Sequence, residues 1–347
     1  VDQFVEPTRE YEIFVCEIFK DLTGADIVGA TDNFFTIGGD SIKVMSLVHQ
    51  MKQQYNFTIE PREIFINSTP REISDLLLES RSATVSSVFP LNNNKDDRVI
   101  IAIHPGGGFS SVYRSLVKTM PQFNWQGFDA DLSKNGSYHF KTLTDIAHRY
   151  VDEAINLFPN KKIIILGWSF GGNIAQEMSV LFNNKGFEHK GVILLDSVSP
   201  TPQDSKDLSR NEMLANLADM VNMDTNDANE LNHSWLVDLC QNLGKASLIQ
   251  ANINVKDFLA SLDRSNEAVK MMRLHKQRSH RKPTLLIKAM KDKTAPEYYS
   301  NWEKVSDGKL TISEHNLSHG GLCHEDTIHL LNKSILNFLS NITDFKR

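Results

Sequence analysis

Cysteine is scarce in this chain of 347 residues, and its three copies, Cys16, Cys240 and Cys323, are odd in number and far apart. They exclude a disulfide framework, show no metal or redox spacing, and fit a reducing cytosol, so no metal is expected. Long apolar runs are missing too. The longest are strand-sized, well short of the ~20 residues of a membrane span, so no membrane partner is expected. The opening VDQFVEP has no initiator Met, no basic leader and no apolar leader. It reads as part of a longer polypeptide without a secretory signal, and the expected location is cytoplasmic. Positive charge is in deficit: the net charge is −6, which argues against nucleic acid as a partner. No internal repeat is visible.

What is present divides unevenly. Residues 1–82 carry 14 acidic and 7 basic side chains, a net −7, whereas the remainder nets +1. Residues 7–82 also read as helices only, over Glu10–Leu22, Ser41–Tyr55 and Arg71–Glu79, with Pro70 at a helix start. The polar stretch 83–97, rich in Ser and Asn, reads as a linker. Beyond it, apolar strands at Val99–Ile103, Lys162–Leu166, Gly191–Leu195, Thr284–Ala289 and Leu310–Ser313 are separated in part by helical patterns, notably Leu143–Leu157 and Gly172–Phe187. That alternation predicts a mostly parallel sheet with helices on both faces over 98–345. From about 200 to 282 no strand pattern occurs. Three amphipathic helices are expected there, over 210–223, 233–250 and 255–277, as a helical lid.

Two constellations carry chemistry. The first is Gly167-Trp-Ser169-Phe-Gly171-Gly172 between an apolar strand and a helix. Glycines permit a turn tight enough to lift the Ser169 hydroxyl clear of the backbone. A serine hydroxyl needs a base, and the base an orienting acid. Asp196, ending the strand after the nucleophile, is the candidate acid, with Asp292 as its rival. His319 in Leu317-Ser-His-Gly-Gly-Leu322 is the candidate base, ahead of His315, His324 and His329, because it falls on a glycine-flanked loop beyond the last strand. Oxyanion donors are expected from the backbone amides of Phe170 and of Gly106 in His104-Pro-Gly-Gly-Gly108.

The second constellation is Phe34-Phe-Thr-Ile-Gly38-Gly39-Asp40-Ser41-Ile42. On its own it is a serine at a helix start, a plain N-cap, at a helix end that also favours a phosphodiester. The segment resembles the attachment motif of peptidyl-carrier domains in nonribosomal peptide synthetases, small four-helix bundles. The resemblance implies that Ser41 carries 4′-phosphopantetheine. Asp40 stands where carriers facing condensation or release commonly have His; Asp is more usual before epimerisation domains. The strings HPGGGF, GWSFGG, LLDS and SHGGL resemble the type I thioesterase that ends such synthetases, an α/β-hydrolase, and the likeness favours Asp196 over Asp292. It further implies a phosphopantetheinyl transferase, upstream condensation and adenylation domains, and an intramolecular carrier–thioesterase contact, for which the basic run Arg273–Lys282 is a candidate patch. Alternatives are a polyketide-synthase-type carrier–thioesterase, a free-standing serine esterase with a helical binding appendage, and a decayed hydrolase acting as a binding scaffold. The acyl chain, and the choice between hydrolysis and cyclisation, are not encoded in these motifs.

Overall fold

The computed structural model describes residues 4–55, 59–80, 86–133, 136–199, 209–221, 223–224, 233–245, 255–291, 297–307, 309–323, 327–342 and 345. The chain forms two compact units. One comprises Val1–Phe89 with Ala218–Phe258, the other Pro90–Leu217 with Leu259–Arg347. Among the described residues no helix is long and apolar enough to cross a membrane.

The first unit contains α1 (Glu10–Thr23), α2 (Ser41–Tyr55), α3 (Pro61–Ile66) and α4 (Pro70–Ser80). Of these, α3 escapes the sequence reading because it is too short for a helical period to register. Gly24, at φ 75°, ends α1 in the left-handed conformation that glycine adopts without strain. The apolar faces meet in a core that includes Phe14, Phe19, Phe34, Leu47, Ile64 and Leu77. Inside it Glu12 is fully buried and held by charge: Arg71 Nε lies 2.7 Å from its carboxylate and ties α1 to α4, while Arg9 Nε lies 2.8 Å away. A buried carboxylate is stable only when paired in this way.

The second unit is built on a sheet ordered β1-β3-β2-β4-β5-β6-β7. The strands are β1 (Val88–Pro90), β2 (Arg98–Ile103), β3 (Asn124–Phe128), β4 (Lys162–Trp168), β5 (Gly191–Leu195), β6 (Thr284–Ala289) and β7 (Leu310–His315). Every pairing from β3 through to β7 is parallel. Five of these strands follow from their apolar runs. The exceptions are β1, three residues inside the stretch read as a linker, and β3, which alternates Asn124 and Gln126 with Trp125; there Gln126 Nε2 donates to Asn124 Oδ1 at 2.6 Å and Asn124 Nδ2 to Asp96 O at 3.3 Å. One face of the sheet packs on Tyr113, α5 (Arg114–Thr119) and α12 (Asn332–Ser340) through Ile100, Leu166, Ile193 and Leu285. Against β2, β4 and β5 lies α7 (Phe170–Asn184), which packs in turn on α6 (Leu143–Leu157). Of the helices expected as a lid, α9 (His233–Lys245) falls in the first unit, whereas α8 (Arg210–Met220) and α10 (Val255–Leu274) lie mostly in the second, and α11 (Glu297–Val305) precedes β7.

Register decides where the chemistry goes. Ile103 pairs with Gly167, Trp168 with Leu195, and Ala289 with His315, so the loops leaving these strands emerge along one carboxyl edge. The chain passes from β2 outward to β3 and then returns to β4 on the other side of β2. That reversal opens a crevice at the carboxyl ends of β2 and β4, where open parallel sheets bind their ligands.

Candidate active site

Ser169 stands directly after β4 with φ 56° and ψ −124°, outside the regions open to most side chains. Such a conformation costs on the order of 1–3 kcal/mol and persists only where the surroundings impose it. Here the imposition is close packing. A Cβ on Gly171 would lie 2.5 Å from Ile103 O, and one on Gly167 would lie 2.1 Å from Gly171 O. The turn therefore closes on bare backbone at both glycines. Ser169 N–H donates to Leu195 O at 3.0 Å, and Trp168 N–H to the buried Tyr113 hydroxyl at 2.7 Å. That hydroxyl in turn donates a hydrogen bond to Ile103 O at 2.7 Å, stitching the elbow to the end of β2.

Asp196 follows β5, also at positive φ (43°). Its Oδ2 lies 2.7 Å from His319 Nδ1, and its Oδ1 accepts from Ala289 N–H at 2.9 Å and from the Tyr299 hydroxyl at 2.6 Å. Burial pushes the carboxyl up, but the hydrogen bonds from His319, Tyr299 and Ala289 outweigh it and hold Asp196 below its usual range. The Asp196 side chain is 3% exposed and that of His319 40%, so the acid is sealed while the imidazole faces outward. The His319 ring also rests against Trp168, with centroids 4.9 Å apart, which brings it beside the residue preceding Ser169.

The structure thus gathers Ser169, Asp196 and His319 at one edge of the sheet. Asp292 and His324 lie outside the described residues. His315 sits on β7, engaged with Ser313 and Ser334, and His329 is exposed on a 3-10 turn. Phe170 is the first residue of α7, so its N–H belongs to the helix end that lacks intrahelical acceptors. Gly106 opens the tight turn after β2, which Gly108 N–H closes on Pro105 O at 2.9 Å. His104, whose Nδ1 lies 2.7 Å from Pro105 O, is fully buried, and burial lowers its pKa to about 4. It is a neutral strut under the turn.

Tyr299 and Tyr113 were invisible to sequence reasoning. Neither belongs to a motif, and each acts on partners that only folding brings to it. The basic run Arg273–Lys282 is also less of a free patch than its composition suggests. Arg278 pairs with buried Glu177, Arg281 with Asp307 at 3.2 Å, and His280 is buried against Ser179.

In the first unit, Ser41 is the exposed first residue of α2. The N-cap is Asp40 rather than Ser41: Asp40 Oδ1 accepts from Ile42 N–H at 2.9 Å and Lys43 N–H at 2.8 Å. The Ser41 hydroxyl is thereby released from capping. Gly39 allows the lead-in to press on Phe34, whose ring would lie 2.4 Å from a Cβ there. An exposed serine hydroxyl at a helix start, with Lys43 two residues on, fits covalent attachment of a phosphodiester.

The Thioesterase domain family matches residues 98–333, and the phosphopantetheine attachment site family matches residues 14–77. A dimodular nonribosomal peptide synthase of Bacillus subtilis is 26% identical over 193 residues, 55% of this chain and 8% of that protein. Surfactin synthase subunit 3 of the same organism is 22% identical over 342 residues, 99% of this chain and 24% of that protein. The chain therefore spans a quarter or less of the length of these relatives. A crystal structure of a four-domain nonribosomal peptide synthetase in its holo form, bound to AMP and glycine, superimposes with TM-score 0.71 at 18% identity, covering 97% of this chain and 26% of that one. The relatives favour the nonribosomal-peptide reading over the polyketide and free-standing esterase alternatives.

Proposed function

This chain belongs to the Thioesterase domain family, with a phosphopantetheine attachment domain joined ahead of it, and from that premise we propose that it releases the finished acyl or peptidyl chain of a nonribosomal peptide synthetase. It is a serine thioesterase fused to a carrier of the nonribosomal-peptide type. We assign the carrier to residues 7–82, the linker to 83–97 and the hydrolase to 98–345, with its helical lid at about 200–282.

Ser41 would hold the 4′-phosphopantetheine, which supplies the acyl chain as an activated thioester. Ser169 Oγ attacks the thioester carbonyl while His319 Nε2 takes the hydroxyl proton. Asp196, bonded to Nδ1, fixes the tautomer and balances the imidazolium that forms. The developing oxyanion lies toward the amides of Phe170 and Gly106. His319 then returns its proton to the departing sulfur, and the acyl group stays on Ser169. In the second half the same imidazole deprotonates water, for hydrolysis, or an amine or hydroxyl of the chain itself, for cyclisation. The partners this implies are upstream condensation and adenylation domains, a phosphopantetheinyl transferase, and the carrier of the same chain.

The observation that carries the proposal is the 2.7 Å Asp196–His319 hydrogen bond set against the strained elbow of Ser169. The test is release of an acyl group loaded on Ser41 through the transferase. Wild type should release it, while Ser169→Ala should hold it on the carrier. Equal release from both chains would refute the assignment.

A further inference from the structure

Three successive glycines, Gly106, Gly107 and Gly108, make the most pliable backbone a loop can have, since each loses more conformational freedom on ordering than any other residue. A loop asked to present amides to an oxyanion must be held from outside. Three groups hold it. In a trans peptide the carbonyl and the following N–H point in opposite directions, so pinning a carbonyl aims the next amide. Pro105 O accepts from Gly108 N–H at 2.9 Å, Gly106 O from the Tyr138 hydroxyl at 3.0 Å, and Gly107 O from Arg264 Nε at 2.7 Å. Gly108 N–H is consumed within the turn. Among the described residues, the N–H groups of Gly106 and Gly107 have no acceptor.

Arg264 comes from α10. One face of that helix, at Ser261, Arg264, Ser265 and Ala268, covers the loop: a Cβ on Gly107 would lie 3.1 Å from Ser261 Oγ, and one on Gly106 3.3 Å from Ser265 Cα. Arg264 is a guanidinium only 7% exposed. Besides Gly107 O it reaches Gly136 O at 3.3 Å, and its Cζ lies 5.3 Å from the centre of the Phe109 ring. Burying a cation is costly, and this one is spread over two carbonyls and a ring that bracket the glycine turn. The planar fork of arginine suits that task, and an ammonium does not.

We infer that Arg264 is a positioning residue for the oxyanion site: it locks the Gly107–Gly108 peptide plane, whose Gly108 N–H holds Pro105 O and so aims the Gly106 amide, while Tyr138 on Gly106 O aims the amide of Gly107. Part of the catalytic geometry then belongs to a lid helix. The inference rests on the serine thioesterase reading above and adds Gly107 to Gly106 as a donor.

The full chain is tested as wild type and as Arg264→Lys, Arg264→Met and Arg264→Ala. The readouts are kcat and KM for an acyl thioester, the rate at which a fluorophosphonate labels Ser169, and the unfolding midpoint. Loss of one oxyanion donor costs about 10²–10³ in kcat, so a misaimed Gly106 amide should cost about 10–100-fold. Both kcat and labelling should fall in the order wild type, Lys, Met, with KM nearly constant. Guanidinium ion at low millimolar concentration should restore part of the rate to Arg264→Ala and none to Arg264→Met, which fills the space. The inference is overturned by an unchanged kcat, by a rise in KM alone, or by a rate loss that tracks unfolding and is not rescued. If the wild-type chain itself is not labelled at Ser169, the functional reading fails, and this inference with it.

Discussion

The Tyr299 hydroxyl donates to Asp196 Oδ1 at 2.6 Å, so the acid is gripped on the side away from His319. One oxygen of Asp196 is anchored by α11 and by the Ala289 amide, which leaves the other to orient the imidazole.

Removing that grip should be felt through the acid. Tyr299→Phe should lower the rate of acyl-enzyme formation about tenfold, the order expected from losing one hydrogen bond to a charged group, about 1.5–3 kcal/mol. Asp196→Asn should cost far more, since an orienting acid is worth about 10⁴ in serine proteases. Asp292→Asn should leave the rate near wild type. Pre-steady-state acylation of the three variants tests the order, and a large loss at Asp292 with none at Asp196 would move the acid to the loop after β6.

Attachment at Ser41 is tested by mass. Incubation with a phosphopantetheinyl transferase and coenzyme A should add a single phosphopantetheine to wild type and nothing to Ser41→Ala. Asp40→Ala should destabilise α2 by about 0.5–2 kcal/mol, because Asp40 caps it. A Ser41→Ala chain that still gains the mass would place the attachment elsewhere.

Stability should fall on mild acidification. Burial lowers His104 and His280 to about 4 and His189 to about 3. All three are neutral in the folded chain, whereas in the unfolded chain they take up protons near pH 6.5. The unfolded state therefore binds more protons between about pH 6.5 and 4, and the free energy of unfolding drops across that window. Asp196, held below its usual range, extends the loss to lower pH. Urea unfolding at pH 7.5, 6 and 5 should show the decline, and His280→Gln should reduce its slope. A flat profile would mean that these imidazoles are not buried as described.

Gly171→Ala should disrupt the elbow. Its Cβ would meet two backbone oxygens, Ile103 O at 2.5 Å and His104 O at 2.6 Å, neither of which can swing aside. The expected cost is about 1–3 kcal/mol of stability or more, with fluorophosphonate labelling of Ser169 sharply reduced. Gly186→Ala makes the contrast: no atom lies within 4 Å of its Cβ, so only the strain of a φ of 67° remains and labelling should persist.

The amino-acid sequence by itself determined the helical N-terminal segment, five of the strands, the order Ser169, Asp196, His319 and the place of Ser41 at a helix start. These are local signals: apolar runs, periodicity, and glycines where the backbone must turn or be approached. It missed β1, only three residues long, and β3, because buried Asn124 and Gln126 break the apolar pattern and are satisfied by each other and by Asp96 O. It made Ser41 a possible cap, whereas the fold gives that work to Asp40. Composition made Arg273–Lys282 an open basic patch, yet Glu177 and Asp307, distant in sequence, take up Arg278 and Arg281. The grip of Tyr299 on Asp196 and of Arg264 on Gly107 was decided only by tertiary structure. A hydrogen bond between residues 103 or 157 positions apart leaves no trace in local pattern, because it exists only once the fold has brought a helix against the loop it holds.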